Sequence, residues 1–384
     1  MSAGAAGPAF VTRRFSGQRD AATAPVDTVE LPESQAALRQ MSMERLMAYG
    51  VHHADAIELR GRVATGELWQ AVATELAETC LAPADFHVSP ETDATRANRL
   101  FRASALMRMS QMMMVDNTPE RAEIFAAAGK LYGQAAALTG DRRRVEIETP
   151  EGIVIGWFFP VREPVGRVAI IGGIEGWAMD FDHLAVPLAQ RGVETLLLDG
   201  PGQGESRMVH GTYLTHDWPA VYGAVFEALA AMAPAVPLGM IGNSMGGAFA
   251  LHLARTNARI VAVCNNGGSP EPGVDLGEST MARKMRAHTG LTSFVEARQV
   301  WASAVPIDPA APVPCPMLVV QGARDPIITA EAAQAMFEAG VSEDRYMVTF
   351  DDGDHCIYNH ADDKTALIGD WMASRLKAAQ HAGH

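Results

Sequence analysis

A single serine lies between two glycine-containing breaks in residues 240–247, Met-Ile-Gly-Asn-Ser-Met-Gly-Gly. The apolar residues 237–241 before it predict a short buried strand, and residues 248–254 after it predict a helix. Gly-x-Ser-x-Gly at a strand-to-helix turn is typical of a nucleophile elbow, whose strained backbone leaves no room for side chains two positions before and after the serine. Ser244 is therefore predicted to be a nucleophile. The backbone N–H of Met245, at the start of the helix, is predicted to face a developing oxyanion.

A serine becomes reactive when a base takes its proton and a third group orients that base. In hydrolases with an elbow the partners follow in the order serine, acid, histidine, each after a strand. Asp325 follows the apolar run 316–320, and His355 follows the run 346–350. Three other acids lie close to His355: Asp351, Asp352 and Asp354. They are too near it in sequence to lie across from its ring, so Asp325 is the predicted orienting acid.

Strand-like apolar runs alternate with helical segments in the second part of the chain. The runs are 168–171, 195–198, 240–241, 260–264, 317–320 and 346–350. This alternation predicts an α/β protein with a mostly parallel sheet and helices on both faces, which with the elbow indicates the α/β-hydrolase fold. Residues 269–312, inserted after the strand that follows the elbow, are predicted to form a helical cap over the active site.

The remaining sequence divides into regions of different character. Residues 1–27 are predicted to be a flexible leader, and residues 28–140 a helical N-terminal or lid domain. Thr118 and Pro119 predict the start of one of its helices. The hydrolase domain is predicted to span 141–384 and to open with a β-hairpin.

The loop after the strand at 168–171 reads Gly-Gly-Ile-Glu-Gly-Trp, residues 172–177. The second oxyanion donor is expected here, from the backbone N–H of Ile174 or Glu175. A carboxylate beside developing negative charge opposes simple ester hydrolysis. If Glu175 is desolvated, its protonated carboxyl group could donate a proton to a carbon leaving group. The structural alternative is a glutamate turned to solvent or to an arginine.

Composition narrows the class of partner. The formal net charge of −14 argues against nucleic acid or an anionic membrane, because phosphate binding needs a basic surface. The four cysteines lack metal-ligand or disulfide-framework spacing, and no apolar run is long enough for a membrane helix. The glycine-rich segment 199–206 lacks the lysine of a phosphate loop and is predicted to be a turn bordering the active site. We expect a cytoplasmic protein that acts on a small or neutral substrate, with no metal site.

Five motifs together resemble one group of α/β-hydrolases, that of 2,6-dihydroxypseudooxynicotine hydrolase and the fungal pigment hydrolases that shorten polyketides. The motifs lie at residues 172–175, 199–204, 242–247, 322–325 and 353–355. The resemblance covers about residues 30–375, since a helical N-terminal domain also belongs to the group. It implies hydrolysis of a carbon–carbon bond next to a ketone by a Ser-His-Asp triad, assistance by the glutamate at 175, no cofactor, and a homodimer.

The predicted function is therefore that of a serine hydrolase that cleaves such a bond in an aromatic or polyketide-like small molecule through an acyl-enzyme. Two alternatives stay open. One is a carboxylesterase or amidase that uses the same triad on an alcohol or amine leaving group. The other is a non-catalytic small-molecule binding protein that keeps the hydrolase fold.

Overall fold

The sheet is the centre of the protein in a computed structural model that describes residues 8–13, 33–82, 90–270, 279–304 and 312–382. In this part of the chain nine strands form one sheet in the order β1-β9-β8-β7-β6-β4-β5-β3-β2. The strands are β1 Ala9–Arg13, β2 Arg143–Thr149, β3 Gly152–Phe159, β4 Gly166–Ile171, β5 Val193–Asp199, β6 Leu238–Asn243, β7 Ile260–Asn266, β8 Met317–Gly322 and β9 Arg345–Phe350. The pairs β2–β3 and β3–β5 are antiparallel, and the other pairs of described strands are parallel.

Helices cover both faces of this sheet. The helices are α1 Glu33–Gln40, α2 Met43–Ala48, α3 His53–Ala64, α4 Trp69–Leu81, α5 Asp93–Ser110, α6 Pro119–Thr139, α7 Asp182–Gln190, α8 Gly204–Met208, α9 Trp218–Met232, α10 Met245–Thr256, α11 Thr280–Thr289, α12 Phe294–Ala304, α13 Ala330–Glu338 and α14 Ala361–Ala382. The central strands are apolar at successive positions because both faces are buried. In β4, Ala169 and Ile171 pack in the core with α9 and α10, whereas Val168 and Ile170 pack with α7 and α14. The predicted α/β-hydrolase fold and its opening hairpin, β2 with β3, are confirmed.

Helices α1 to α6 precede the hairpin and have a core of their own, which includes Trp69 and Leu106. That core continues into the hydrolase domain through Cys356 and Tyr358, which lie directly after His355. The Tyr49 and Tyr358 hydroxyl oxygens are 3.0 Å apart. The helical unit therefore packs against the loop that carries the candidate catalytic histidine.

One prediction about the N-terminal segment is wrong. Residues Ala9–Arg13, which were expected to belong to a flexible leader, form β1 and pair in parallel with β9 at the sheet edge. Val11 and Thr12 are β-branched, and an edge strand can accept exposed side chains because only one of its sides is paired. Residues 1–7 and 14–32 lie outside the described residues.

The predicted start of one helix of the N-terminal region is observed. Thr118 caps α6 by accepting a hydrogen bond from the Arg121 backbone N–H, with Pro119 as the first helical residue. The segment predicted to be a cap contains α11 and α12, while its residues 271–278 and 305–311 lie outside the described residues. The division into leader, helical domain and hydrolase domain stays a prediction.

A buried ion pair joins α5 to the hydrolase domain. The Arg108 guanidinium donates to the Asp180 carboxylate at 2.8 Å and to the Tyr49 carbonyl at 2.9 Å, and both charged side chains are buried. Burial raises the pKa of Asp180, and the charge of Arg108 opposes that shift. Removing one partner of such a pair leaves the other charge buried and uncompensated.

Arg108→Ala should accordingly lower the free energy of unfolding by about 3–5 kcal/mol. Urea denaturation followed by circular dichroism measures this loss. The matched control is Arg62→Ala, because Arg62 makes its ion pairs with Glu67 and Glu75 on the exposed surface. The control should keep the wild-type denaturation midpoint, and equal losses in the two variants would contradict a special role for the buried pair.

Candidate active site

Ser244 occupies the sharp turn between β6 and α10. Its backbone has φ 54° and ψ −124°, a conformation that is rare for a residue with a side chain. The two glycines of the motif are required by close packing: a Cβ atom at Gly242 would lie 2.0 Å from the Gly246 carbonyl oxygen, and one at Gly246 would lie 2.5 Å from the Ile171 carbonyl oxygen. The turn therefore fits only a sequence with glycine at both positions.

The structure brings Ser244, His355 and Asp325 into one hydrogen-bonded chain. His355 Nε2 lies 2.9 Å from Ser244 Oγ, and His355 Nδ1 lies 2.8 Å from Asp325 Oδ2. The Asp325 side chain is fully buried, and its other oxygen accepts the backbone N–H groups of Ile327 and Ile328. Because the carboxylate only accepts, Nδ1 carries the proton and Nε2 is free to accept the serine hydroxyl proton.

Two of the acids closer in sequence to His355, Asp352 and Asp354, have other partners. Asp352 lies 2.6 Å from His360 Nε2, and Asp354 accepts the Tyr358 backbone N–H at 2.6 Å. Asp325 is thus the acid that the fold places against the imidazole.

The backbone directly after His355 is also strained. Cys356 and Ile357 have φ of 58° and 57°, although neither is glycine. The buried Lys364 ammonium donates to the Cys356 carbonyl at 3.1 Å, and the Asn266 side-chain amide approaches the same oxygen at 3.4 Å. These contacts hold the Cys356 carbonyl in place and help to offset the cost of the unusual backbone.

The loop at 172–177 lies against the serine. A Cβ atom at Gly173 would stand 2.9 Å from Ser244 Cβ, so only glycine permits this approach. Met245 is the first residue of α10, whose first-turn N–H groups lack intrahelical acceptors. The predicted oxyanion donors, the backbone N–H groups of Met245 and of Ile174 or Glu175, are therefore carried by the two segments that meet at Ser244.

Two side chains hold the carbonyl groups of this loop. Gln203 Nε2 donates to the carbonyls of Gly172 at 2.9 Å and Gly173 at 2.8 Å, and His288 Nε2 donates to the Ile174 carbonyl at 3.0 Å. In a trans peptide the carbonyl and the following N–H point in opposite directions. The N–H groups of residues 173, 174 and 175 therefore point away from Gln203 and His288.

Gln203 and His288 were not predicted from the sequence. Gln203 belongs to the glycine-rich turn that was expected to border the active site. That expectation indicated the segment but not the residue. His288 lies in the cap helix α11, and nothing in its sequence context distinguishes it. Burial and the nearby charges of Arg207 and Arg121 hold the pKa of His288 well below its ordinary value, so its ring is neutral.

Glu175 is buried and turned to cations. Its carboxylate lies 3.2 Å from an Arg121 guanidinium nitrogen and 3.9 Å from Lys284 Nζ. This is the arrangement given above as the structural alternative, a glutamate turned to an arginine. Arg121 comes from α6 and Lys284 from α11, so the helical unit and the cap both reach this loop.

The described residues contain no cluster of histidine, cysteine, aspartate or glutamate side chains arranged to hold a metal ion. Among the described helices, none is both long and apolar enough to cross a membrane.

Comparison with known proteins identifies the fold. Residues 162–265 match the family model described as serine aminopeptidase, S33. The crystal structure of 2,6-dihydroxy-pseudo-oxynicotine hydrolase superposes with a TM-score of 0.76 at 22% identity, over 88% of this chain and 97% of that one. The chain has the α/β-hydrolase fold.

Two curated proteins are also similar in sequence. The chain is 24% identical to 2,6-dihydropseudooxynicotine hydrolase of Paenarthrobacter nicotinovorans, over 88% of this chain and 92% of the relative. It is 31% identical to an α/β hydrolase of Penicillium citrinum, over 51% of this chain and 47% of that protein. The predicted similarity to this group of hydrolases is confirmed.

The pH dependence of turnover should report the pKa of His355. Burial lowers the pKa of His355, but the adjacent Cys356 sulfur and the Asp325 carboxylate raise it to about 10. Because only the unprotonated ring accepts the serine proton, kcat/KM should rise with pH until about pH 10, where the His355 ring loses its proton. Asp325→Asn should shift this rise to lower pH and reduce kcat by about 10³–10⁴.

A pH–rate profile of each variant on an activated aryl ester provides the measurement. Asp352→Asn is the matched control, since Asp352 contacts His360 instead. A shift of the profile in Asp352→Asn, with none in Asp325→Asn, would reverse the assignment of the orienting acid.

Proposed function

We propose that this serine hydrolase cleaves a carbon–carbon bond adjacent to a ketone in an aromatic or polyketide-like small molecule. The observation that carries the proposal is the hydrogen-bonded chain Ser244–His355–Asp325 beside a loop that contains a buried glutamate, Glu175. The similarity to 2,6-dihydropseudooxynicotine hydrolase over most of both chains supports the same reaction class.

In the proposed reaction, Ser244 Oγ attacks the ketone carbon while His355 Nε2 takes the hydroxyl proton. The carbonyl oxygen becomes an oxyanion, stabilised by the backbone N–H groups of Met245 and of Ile174 or Glu175. The carbon–carbon bond then breaks, and its electron pair leaves as an enolate that takes up a proton. Water, activated by His355, hydrolyses the remaining acyl-enzyme to a carboxylic acid.

Proton delivery distinguishes this reaction from ester hydrolysis. A phenolate leaves an activated ester without a proton, whereas the enolate carbon must receive one. His355 holds the proton taken from Ser244. We assign Glu175, the carboxyl group of the loop that contacts Ser244, an assisting role in this step: His355 supplies the proton, and Glu175 holds the Arg121 and Lys284 cations beside the loop.

A paired turnover assay tests both residues. Wild-type protein should cleave an aryl β-diketone as well as an activated aryl ester, with products followed by mass. Ser244→Ala should lose about 10³-fold or more of both activities. Glu175→Gln should slow diketone cleavage more than ester cleavage, because only the carbon leaving group depends on proton delivery.

The outcomes separate the alternatives. Ester or amide cleavage alone, unaffected by Glu175→Gln, would assign the protein to the carboxylesterases or amidases. Near-normal turnover by Ser244→Ala would eliminate the triad. A folded wild-type protein that neither turns over nor is labelled at Ser244 by a fluorophosphonate would be a binding protein.

We also propose a cytoplasmic homodimer. The homodimer is implied by the resemblance to the hydrolase group, and the cytoplasmic location is supported by four buried cysteines that form no disulfide. Light scattering after size exclusion should give twice the chain mass of 41.0 kDa. A mass of one chain across the accessible concentration range would contradict the dimer.

A further inference from the structure

Charged side chains from four parts of the chain converge beside the candidate active site. Lys284 of the cap interacts electrostatically with one carboxylate, Glu175, and with three guanidinium groups. These groups belong to Arg45, Arg121 and Arg207. The strongest charge interactions of Lys284 are therefore with three cations and one carboxylate, in a protein whose formal net charge is −14.

The buried hydrogen-bond donors of this cluster also exceed its acceptors. Arg121 is satisfied by Gln111, Val115 and Glu175. Arg207 is only 2% exposed, yet none of its three guanidinium nitrogens has a hydrogen-bond partner in the described part of the chain. The indole nitrogen of Trp177 is likewise buried without an acceptor among the described residues.

These donors are close together. The guanidinium carbons of Arg121 and Arg207 lie 5.4 Å and 6.0 Å from the centre of the Trp177 ring. Trp177 ends the loop that contacts Ser244. Asp199 is the other acid that interacts with Arg207, and its carboxyl group accepts two backbone N–H groups. Burial raises the pKa of Asp199 to about 7, so the negative charge of Asp199 compensates Arg207 incompletely.

Unpaired buried donors and uncompensated positive charge both favour an acceptor-only anion. Arginine and the indole N–H only donate, and a carboxylate only accepts. The planar guanidinium matches a carboxylate in shape, and such charge-assisted hydrogen bonds are stronger than neutral ones. Lys284, with a side chain 16% exposed, is the member that a ligand meets first.

We propose that the substrate is a keto acid whose carboxylate is bound by the Lys284–Arg207 cluster while its ketone lies at Ser244. This rests on the proposed function and adds the chemical class of the substrate. The carboxylate neutralises the excess charge around Lys284 and binds beside Glu175 rather than replacing it. Neutral diketones lack this interaction and bind more weakly.

The kinetic test compares two diketones with the same aryl group. Benzoylpyruvate carries a carboxylate and would give benzoate and pyruvate, whereas benzoylacetone is neutral and would give benzoate and acetone. Wild-type protein should prefer benzoylpyruvate in kcat/KM. Arg207→Met should reduce that preference by about tenfold or more, chiefly through KM, because it removes a hydrogen bond to a charged group.

Matched variants show whether the preference for the acid depends on the Lys284–Arg207 cluster or on positive charge in general. Arg283→Met removes an exposed cation of the same helix, α11, which pairs with Asp116, and should keep the preference. Arg207→Lys keeps the charge and should retain part of it. Lys284→Met removes the partly exposed member and should reduce the preference independently of the packing around Arg207.

A binding measurement does not depend on turnover. Ser244→Ala protein, titrated calorimetrically, should bind benzoylpyruvate at least about tenfold more tightly than its methyl ester, and added salt should weaken only the acid. Equal affinity for acid and ester would overturn the carboxylate site. If wild-type protein cleaves benzoylacetone without preferring the acid, the site fails and the proposed function stands. If the acid binds selectively but neither diketone is cleaved, the reaction fails and the site stands.

Discussion

The turn at Ser244 is the constraint on which the rest of the site depends. At φ 54° the serine projects from the junction of β6 and α10, and the close approach of Gly242 to Gly246 leaves no space for any side chain there. Strain of this kind persists only where the surrounding structure fixes it. Here β6 is hydrogen-bonded to β4 on one side and to β7 on the other, so the turn starts from a rigid, fully buried strand.

The remaining parts of the site are held by segments that are distant in sequence. The loop at 172–177, which carries a predicted oxyanion donor, is held at its carbonyl groups by Gln203 and by His288 of α11, and its glutamate is bound by Arg121 of the helical unit. The loop after His355 packs into the core of the same helical unit. The helical unit and the predicted cap therefore contribute to the geometry and the charge of the site.

Local and overall charge have opposite signs in this protein. The chain is acidic, which argues against polyanionic partners at its surface. Inside, the groups around Lys284 are mostly cations, and low polarity strengthens their effect because water does not screen them. A carboxylate bound among these cations would be compensated by them, which is the physical basis of the keto-acid proposal.

The sequence by itself determined the strand-and-helix alternation, the elbow and the order of the three candidate catalytic residues. These signals are local. Glycine spacing indicates a strained turn, and an acid or histidine after an apolar run indicates the end of a buried strand. Tertiary structure alone decided that β1 joins the sheet edge, that Glu175 turns to Arg121 and Lys284, and that Gln203 and His288 hold the loop at 172–177. Each of these contacts joins residues far apart in the chain, and their pairing depends on how the helical unit, the cap and the sheet pack. Contacts between residues so far apart leave no periodic or spacing signal in the sequence. They are set by the free energy of burying charged groups and apolar surface together when the protein folds.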